Sequence, residues 1–287
     1  MRRRLWLVAL CLLLPVCMIQ VACQALPLQD SYYVSRGDAF YAAGDLQQAL
    51  SHYSAAITLN PDNAVAYQGR GVAYALSGNP RQAVEDFTRV IELDPSGAEA
   101  YNGRGLARCL LEDTAGAVED FDQAIAIAPD YAEAYYGRGL VRLKGNEYEP
   151  ALADFDYAIE LRPSYAEAYQ QRGKTYANMG RYAQANLDYD RAIDLEPNYA
   201  EAYYGRGTAY AHLGSYALAL HDLDRALELE PLYAEAFYNR GCIYARMSRY
   251  AQAIQNFDWA IALKPENAAA FDSRGLAYVH TGKLRQG

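Results

Sequence analysis

Cysteine is almost missing from the body of this 287-residue sequence. Of five, Cys11, Cys17 and Cys23 fall in the first 23 residues, leaving only Cys109 and Cys242. A body with two thiols is not a disulfide scaffold. Histidine is scarce as well: His52, His212, His221 and His280 stand at no metal-binding spacing and beside no thiol cluster, so no metal or other cofactor is expected. Serine occurs in no nucleophile motif, and enzymatic activity is not expected of this chain. No asparagine sits in a glycosylation sequon. Neighbouring acids such as Glu119-Asp120 and Asp154/Asp156 read as solvated helix faces rather than acid–base pairs. Basic charge is in deficit, with 26 Lys and Arg against 35 Asp and Glu and a net charge of −9. Without Arg2, Arg3 and Arg4 the balance is 23 against 35, or −12. A body this acidic repels phosphate backbones, which excludes nucleic acid as the expected partner. Phenylalanine is sparse, 7 residues, whereas tyrosine reaches 27.

Long apolar runs are also missing, apart from one near the start. Leu5 to Ile19 are apolar but for Pro15, follow the basic Arg2-Arg3-Arg4, and precede the small residues Ala22, Cys23 and Ala25. That is the layout of a secretory signal peptide. About fifteen apolar residues are short for a membrane span, which needs roughly twenty. Residues 1–25 are therefore expected to act as a cleavable signal or a retained signal anchor. Val21-Ala22-Cys23 also fits the cleavage site of a bacterial lipoprotein, with Cys23 as the lipidation candidate, although Gln20 stands where such sites prefer Leu. Contact with a membrane is expected only through this segment, and an exported, periplasmic or cell-envelope location follows from it.

What is present in abundance is order. Pro61, Pro95, Pro129, Pro163, Pro197, Pro231 and Pro265 are each 34 residues apart. A fixed period of this length marks a repeat architecture. Aligned on the prolines, seven full repeats begin at Asp30, Ala64, Ala98, Ala132, Ala166, Ala200 and Ala234, and a partial eighth begins at Ala268. The repeat region covers residues 30–287, after a short linker at 26–29. Each repeat reads as two helices, with Gly or a polar residue at the turn, as at Gly44, Gly78, Gly180 and Gly214, and proline stopping the second helix. Positions 4, 7, 8 and 11 of the first helix fall within about a 100° arc and are expected to be its buried stripe. A single repeat cannot close such a core, so repeats must stack. Cys109 and Cys242, four repeats apart, are then far beyond disulfide reach.

The fifth repeat carries Tyr169, Gly173, Tyr176, Ala185, Tyr189, Ala192 and Pro197 at positions 4, 8, 11, 20, 24, 27 and 32. This resembles the tetratricopeptide-repeat (TPR) family. The resemblance covers Asp30 to about Gly282. It implies an all-α fold, a right-handed superhelical α-solenoid of tandem helix-turn-helix repeats. The third and fourth repeats depart from it at Arg108 and Arg142, where an aromatic belongs. Position 7 departs throughout: Arg36, Arg70, Arg104, Arg138, Arg172, Arg206, Arg240 and Arg274 stand where the family has Leu. Position 23 is Asp at Asp86, Asp120, Asp154, Asp188 and Asp222. A half-buried guanidinium wants a carboxylate, so a ladder of pairs from position 7 to position 23 is expected, or an acid of an adjacent repeat instead. The Gly-Arg-Gly triplets, such as Gly137-Arg138-Gly139, look like phosphate loops but follow no strand and lack the third glycine.

The resemblance further implies that the first helices line a concave groove. Positions 5, 9 and 13 face away from the expected core stripe and vary from repeat to repeat. Position 5 reads Gln68, Asn102, Tyr136, Gln170, Tyr204 and Tyr238. Position 9 reads Val72, Leu106, Leu140, Lys174, Thr208 and Cys242. Position 13 reads Leu76, Leu110, Lys144, Asn178, His212 and Arg246. The groove is thus apolar in repeats 2–4 and polar to basic in repeats 4–7. Partner-binding candidates are Gln68, Asn102, Tyr136, Lys144, Gln170, Lys174, Asn178, Tyr204, His212, Tyr238 and Arg246. The TPR clamp for a chaperone's C-terminal carboxylate is not expected, because positions 5 and 9 lack its Lys/Asn pair. The function expected is a protein- or peptide-binding scaffold outside the cytoplasmic membrane, similar to exported bacterial TPR proteins and lipoproteins. The alternatives are a repeat region within a larger multidomain enzyme, or self-association through Tyr-rich repeat ends.

Overall fold

The computed structural model describes residues 29–282, and the leader with Cys23 lies outside them. Among the described residues there are fifteen helices and no strand. They are α1 (29–42), α2 (Leu46–Leu59), α3 (Ala64–Leu76), α4 (Pro80–Leu93), α5 (Ala98–Leu110), α6 (Thr114–Ile127), α7 (Ala132–Lys144), α8 (Tyr148–Leu161), α9 (Ala166–Asn178), α10 (Tyr182–Leu195), α11 (Ala200–His212), α12 (Tyr216–Leu229), α13 (Ala234–Arg246), α14 (Tyr250–Leu263) and α15 (Ala268–His280). No described helix is long and apolar enough to cross a membrane. The described residues divide into two compact units, with the boundary between Val141 and Arg142.

The punctuation has local causes. Asp45, Asn63, Asp113 and Asn267 cap their helices by accepting from the N–H three residues on. The residue closing each first helix takes a left-handed conformation, easily at Gly180 (φ 74°) and against steric resistance at Glu112 (φ 61°). The residue before each repeat proline leaves the helical region, and at Asp94 (φ −140°) it is extended, because the proline ring disfavours a continuing helix there.

Within each unit the core is built around the aromatic or leucine at position 24. Tyr53, Phe87 and Phe121 in the first unit, and Phe155, Tyr189, Leu223 and Phe257 in the second, are all buried. Their neighbours explain the glycine pairs. A Cβ on Gly205 would come within 2.5 Å of the Tyr189 ring, and one on Gly173 within 3.0 Å. Tyr189 is thus clamped between the first helix of its own repeat and that of the next. The Gly-Arg-Gly triplets serve close packing.

The buried stripe of the first helices is broader than expected. Position 3 is alanine in repeats 2–8, from Ala66 to Ala270, and none of these is more than 2% exposed. Position 10 is buried too, at Ala73, Ala107, Val141, Thr175, Ala209, Ile243 and Ala277. Positions 4, 7 and 11 are only half-buried in most repeats. The cause is that each first helix packs on the helices of two repeats rather than on one partner.

The arginine ladder forms, and its rungs at Arg70, Arg104, Arg172 and Arg206 have two arms. Arg172 grips Asp188 with its Nε (2.8 Å) and one terminal nitrogen (2.6 Å), and its other terminal nitrogen reaches back to Asp156 (2.6 Å). Arg206 does the same with Asp222 (2.7 and 2.9 Å) and Asp190 (2.6 Å). In the first unit, Arg70 pairs with Asp86 (2.7 Å) and Ser54 (3.1 Å), and Arg104 with Asp120 (2.7 Å) and Thr88 (3.2 Å). Arg138 reaches Asp122 (2.5 Å). The forward arm closes each repeat and the backward arm ties it to the one before. Each guanidinium also lies over the position-4 ring, at 5.5 Å for Arg172 on Tyr169.

Asp120 and Asp154, expected as part of solvated faces, are instead buried; Glu119 and Asp156 are the exposed members of those pairs. Position 23 is the buried end of the ladder in every repeat where it is Asp, and in the third and fourth repeats the arginine at position 11 adds a second cation there. Arg108 reaches Asp120 (2.9 Å) and Arg142 reaches Asp154 (2.8 Å). Buried carboxylates need such partners.

Candidate functional site

Positions 5, 9 and 13 run along the first helices, and each unit carries its own surface. In the first unit, Leu76, Leu106 and Leu110 are exposed. Gln68 is half-buried and Asn102 is buried. Neither the Gln68 Oε1 nor the Asn102 Oδ1 accepts a hydrogen bond.

In the second unit, Lys144, Lys174, Asn178, His212 and Arg246 are exposed. Lys174 and Arg246 have no carboxylate within ion-pair distance among the described residues, and they sit in a strongly acidic chain. Between α9 and α11 lies a cleft of about 410 Å³ lined by Gln170, Lys174, Asn178, Glu201, Tyr204 and Thr208, among others. A second cleft of about 210 Å³ is lined by Thr208, His212, Tyr238, Asn239, Cys242 and Arg246. Thr208 lines both, so the two follow one another along the helix face. Seven of the candidate residues are thereby brought together: Gln170, Lys174, Asn178, Tyr204, His212, Tyr238 and Arg246.

Position 5 does not point clear of the core, as expected, but wedges between consecutive first helices. Tyr204 is half-buried, its ring 4.8 Å from that of Tyr233, and its hydroxyl accepts from the Asn239 side chain (3.1 Å). Burial pushes its phenol up, with Glu235 adding to the effect. Tyr238 lies against Phe257, ring centroids 5.9 Å apart. His212, though exposed, stacks on Tyr182 of the preceding repeat at 4.4 Å. Gln170 is only 8% exposed, and its Oε1 is an acceptor with no donor. Cys242 is half-buried, and burial pushes its thiol up, which disfavours the thiolate. Asn239 and Tyr233 were not singled out from the sequence, whereas Glu201 is one of the position-2 glutamates expected along one rim of the groove. The signal for Asn239 and Tyr233 is positional: they enter the face only through the next repeat's helix.

Among the described residues no group of three or more His, Cys, Asp or Glu could hold a metal ion. The surface is one for contact, with amides, hydroxyls, rings and two free cations.

A family model described as TPR repeat matches residues 37–78 and 139–180. Two described as tetratricopeptide repeat match residues 77–132 and 171–236, and residues 234–267. The chain belongs to the TPR family. Its helix pairs are TPR repeats, and the fold is that of a protein-interaction scaffold. Among solved structures, the chain is similar to YrrB, described as a TPR protein with an unusual peptide-binding site. The identity is 26%, over 67% of this chain and 98% of that one, with a TM-score of 0.55. It is similar to MamA protein at 28% identity, over 60% of this chain and 94% of that one, TM-score 0.51. A TPR protein from Parabacteroides merdae ATCC 43184 shares the fold at 20% identity, over 87% of this chain and 99% of that one, TM-score 0.66. A search of curated proteins finds no match.

Proposed function

We propose that this TPR chain is a non-catalytic adaptor that holds an extended segment of another protein across the first helices of repeats 5–7. The observation that carries the reading is the pair of consecutive clefts there, walled by unpaired Lys174 and Arg246 and by the donorless Gln170 Oε1. An extended peptide offers what these groups lack: backbone N–H groups for the amide oxygen and acidic side chains for the cations. YrrB, whose description names a peptide-binding site, supports the reading by likeness. The test is photocrosslinking from a benzophenone side chain placed at Asn178, with Leu187, 70% exposed on a second helix, as the control position. Capture of a protein from Asn178 alone is the expected result. Capture from Leu187 alone overturns it.

We further propose that the chain is exported. The support is the basic, apolar, small-residue layout of residues 1–25. Mass spectrometry of the native protein should show loss of residues through Ala22 or Ala25, with a lipid mass on Cys23 if it is a lipoprotein. An intact Met1 in a soluble fraction contradicts export.

A further inference from the structure

The cleft between α9 and α11 has two chemically opposite ends. Near the helix N-termini it is lined by Gln170, Tyr199, Glu201, Tyr204 and Tyr233; further along, by Lys174, Asn178 and Thr208. From position 2 to position 9 of a helix is about 10 Å at ~1.5 Å per residue. The first end is rich in aromatic rings and negative charge. Burial first, then Tyr204, Glu201, Glu235 and Glu230, push the Tyr233 phenol up, so three carboxylates bear on that ring. Glu235 is engaged by Lys264, whereas Glu201 and Glu230 have no cation within ion-pair distance among the described residues. The Gln170 Oε1, in a side chain more than nine-tenths buried, lines the same end and lacks a donor.

The chain itself shows what belongs there. In repeat 4 the position-34 tyrosine, Tyr165, is covered by Arg162, three residues earlier, at 4.7 Å. In repeat 6 the corresponding residues are Tyr233 and Glu230. The ring is kept, and the cation is replaced by a carboxylate.

We propose that this end of the cleft takes an arginine side chain of the bound segment, while Lys174 takes a carboxylate of the same segment. A guanidinium suits tyrosine rings, a nearby carboxylate and an unpaired amide oxygen together. The ~10 Å between the two ends corresponds to about three residues of extended chain. The ligand is thus an extended peptide with Arg and Asp or Glu about three residues apart. The cleft around Gln68 in the first unit repeats the arrangement with Glu99 but has Gly97 where this one has Tyr199 and Asn102 where it has Tyr204, so it offers fewer rings for such a cation.

The inference rests on the peptide-binding reading of this face. The test is to pan a phage-displayed dodecapeptide library on the full chain, then resynthesise the strongest peptide with citrulline for Arg. The expected result is an Arg/acid pair at that spacing and a loss of about tenfold or more with citrulline. Glu201→Gln should weaken the Arg peptide and leave the citrulline peptide unchanged. Peptides that need Lys174 but contain no Arg, or ignore both citrulline and Glu201→Gln, overturn this inference and leave the groove standing. No selected peptide, or binding indifferent to both Lys174→Glu and Glu201→Gln, overturns both.

Discussion

Arg172→Ala should destabilise the second unit by about 3 kcal/mol, the cost of leaving one member of a buried ion pair behind. Arg172 holds the buried Asp188 with two bonds and the exposed Asp156 with a third. Even with Arg172 in place, burial outweighs those bonds and keeps the Asp188 carboxyl above its ordinary 3.8. Without Arg172 only burial remains, and the carboxyl rises further. A carboxyl whose pKa is raised on folding contributes stability that is complete below the unfolded value and lost as pH rises through the folded one. The penalty of the variant should therefore be small near pH 4 and full at pH 8. Urea melts across that range check it. Arg172→Ala with Asp188→Ala should recover part of the loss, because the stranded charge is gone. The backward arm to Asp156 adds a second effect: unfolding should become less cooperative, since coupling in a repeat chain runs through neighbouring interfaces. A loss that does not change with pH would contradict the ladder as drawn.

How much of this could be read from the residues follows from range. The helices, turns and stops depend on neighbours in sequence, so the 34-residue proline spacing and the turn glycines located them. The forward arm, Arg172 to Asp188, was legible because it lies within one repeat. The backward arm was expected only as an alternative to it, an acid of an adjacent repeat; that both arms form together was not, although Asp122, Asp156, Asp190, Asp224 and Asp258 recur at position 25 and could have signalled it. The buried alanines at positions 3 and 10 were missed because helical periodicity describes one packing partner and these helices have two. The same neighbour accounts for Tyr204. From its own helix it looks exposed, but the next repeat brings Tyr233 and Asn239 onto it. Removing Tyr204 would thus disturb folding and binding together, which makes it a poor probe of function.

Lys174 and Arg246 are the better probes, because both are exposed and neither supports the fold through an ion pair. Lys174→Glu with Arg246→Glu places two carboxylates where an acidic segment would have met two cations. Like-charge placement across an interface acts on partner choice and on the rate of encounter. The double variant should bind its partner about a hundredfold more weakly, or ~2.8 kcal/mol. Its melting temperature should change little, since surface substitutions of this kind usually stay within about 0.5 kcal/mol.

The most direct measurement is titration calorimetry of the captured partner segment against the native chain and this double variant, with thermal melts of both. The account predicts loss of binding in the variant at low ionic strength, an unchanged melt, and a smaller difference in high salt, where exposed charges are screened. Full-strength binding by the folded variant would contradict it, and would move the contact off the first helices of repeats 5–7.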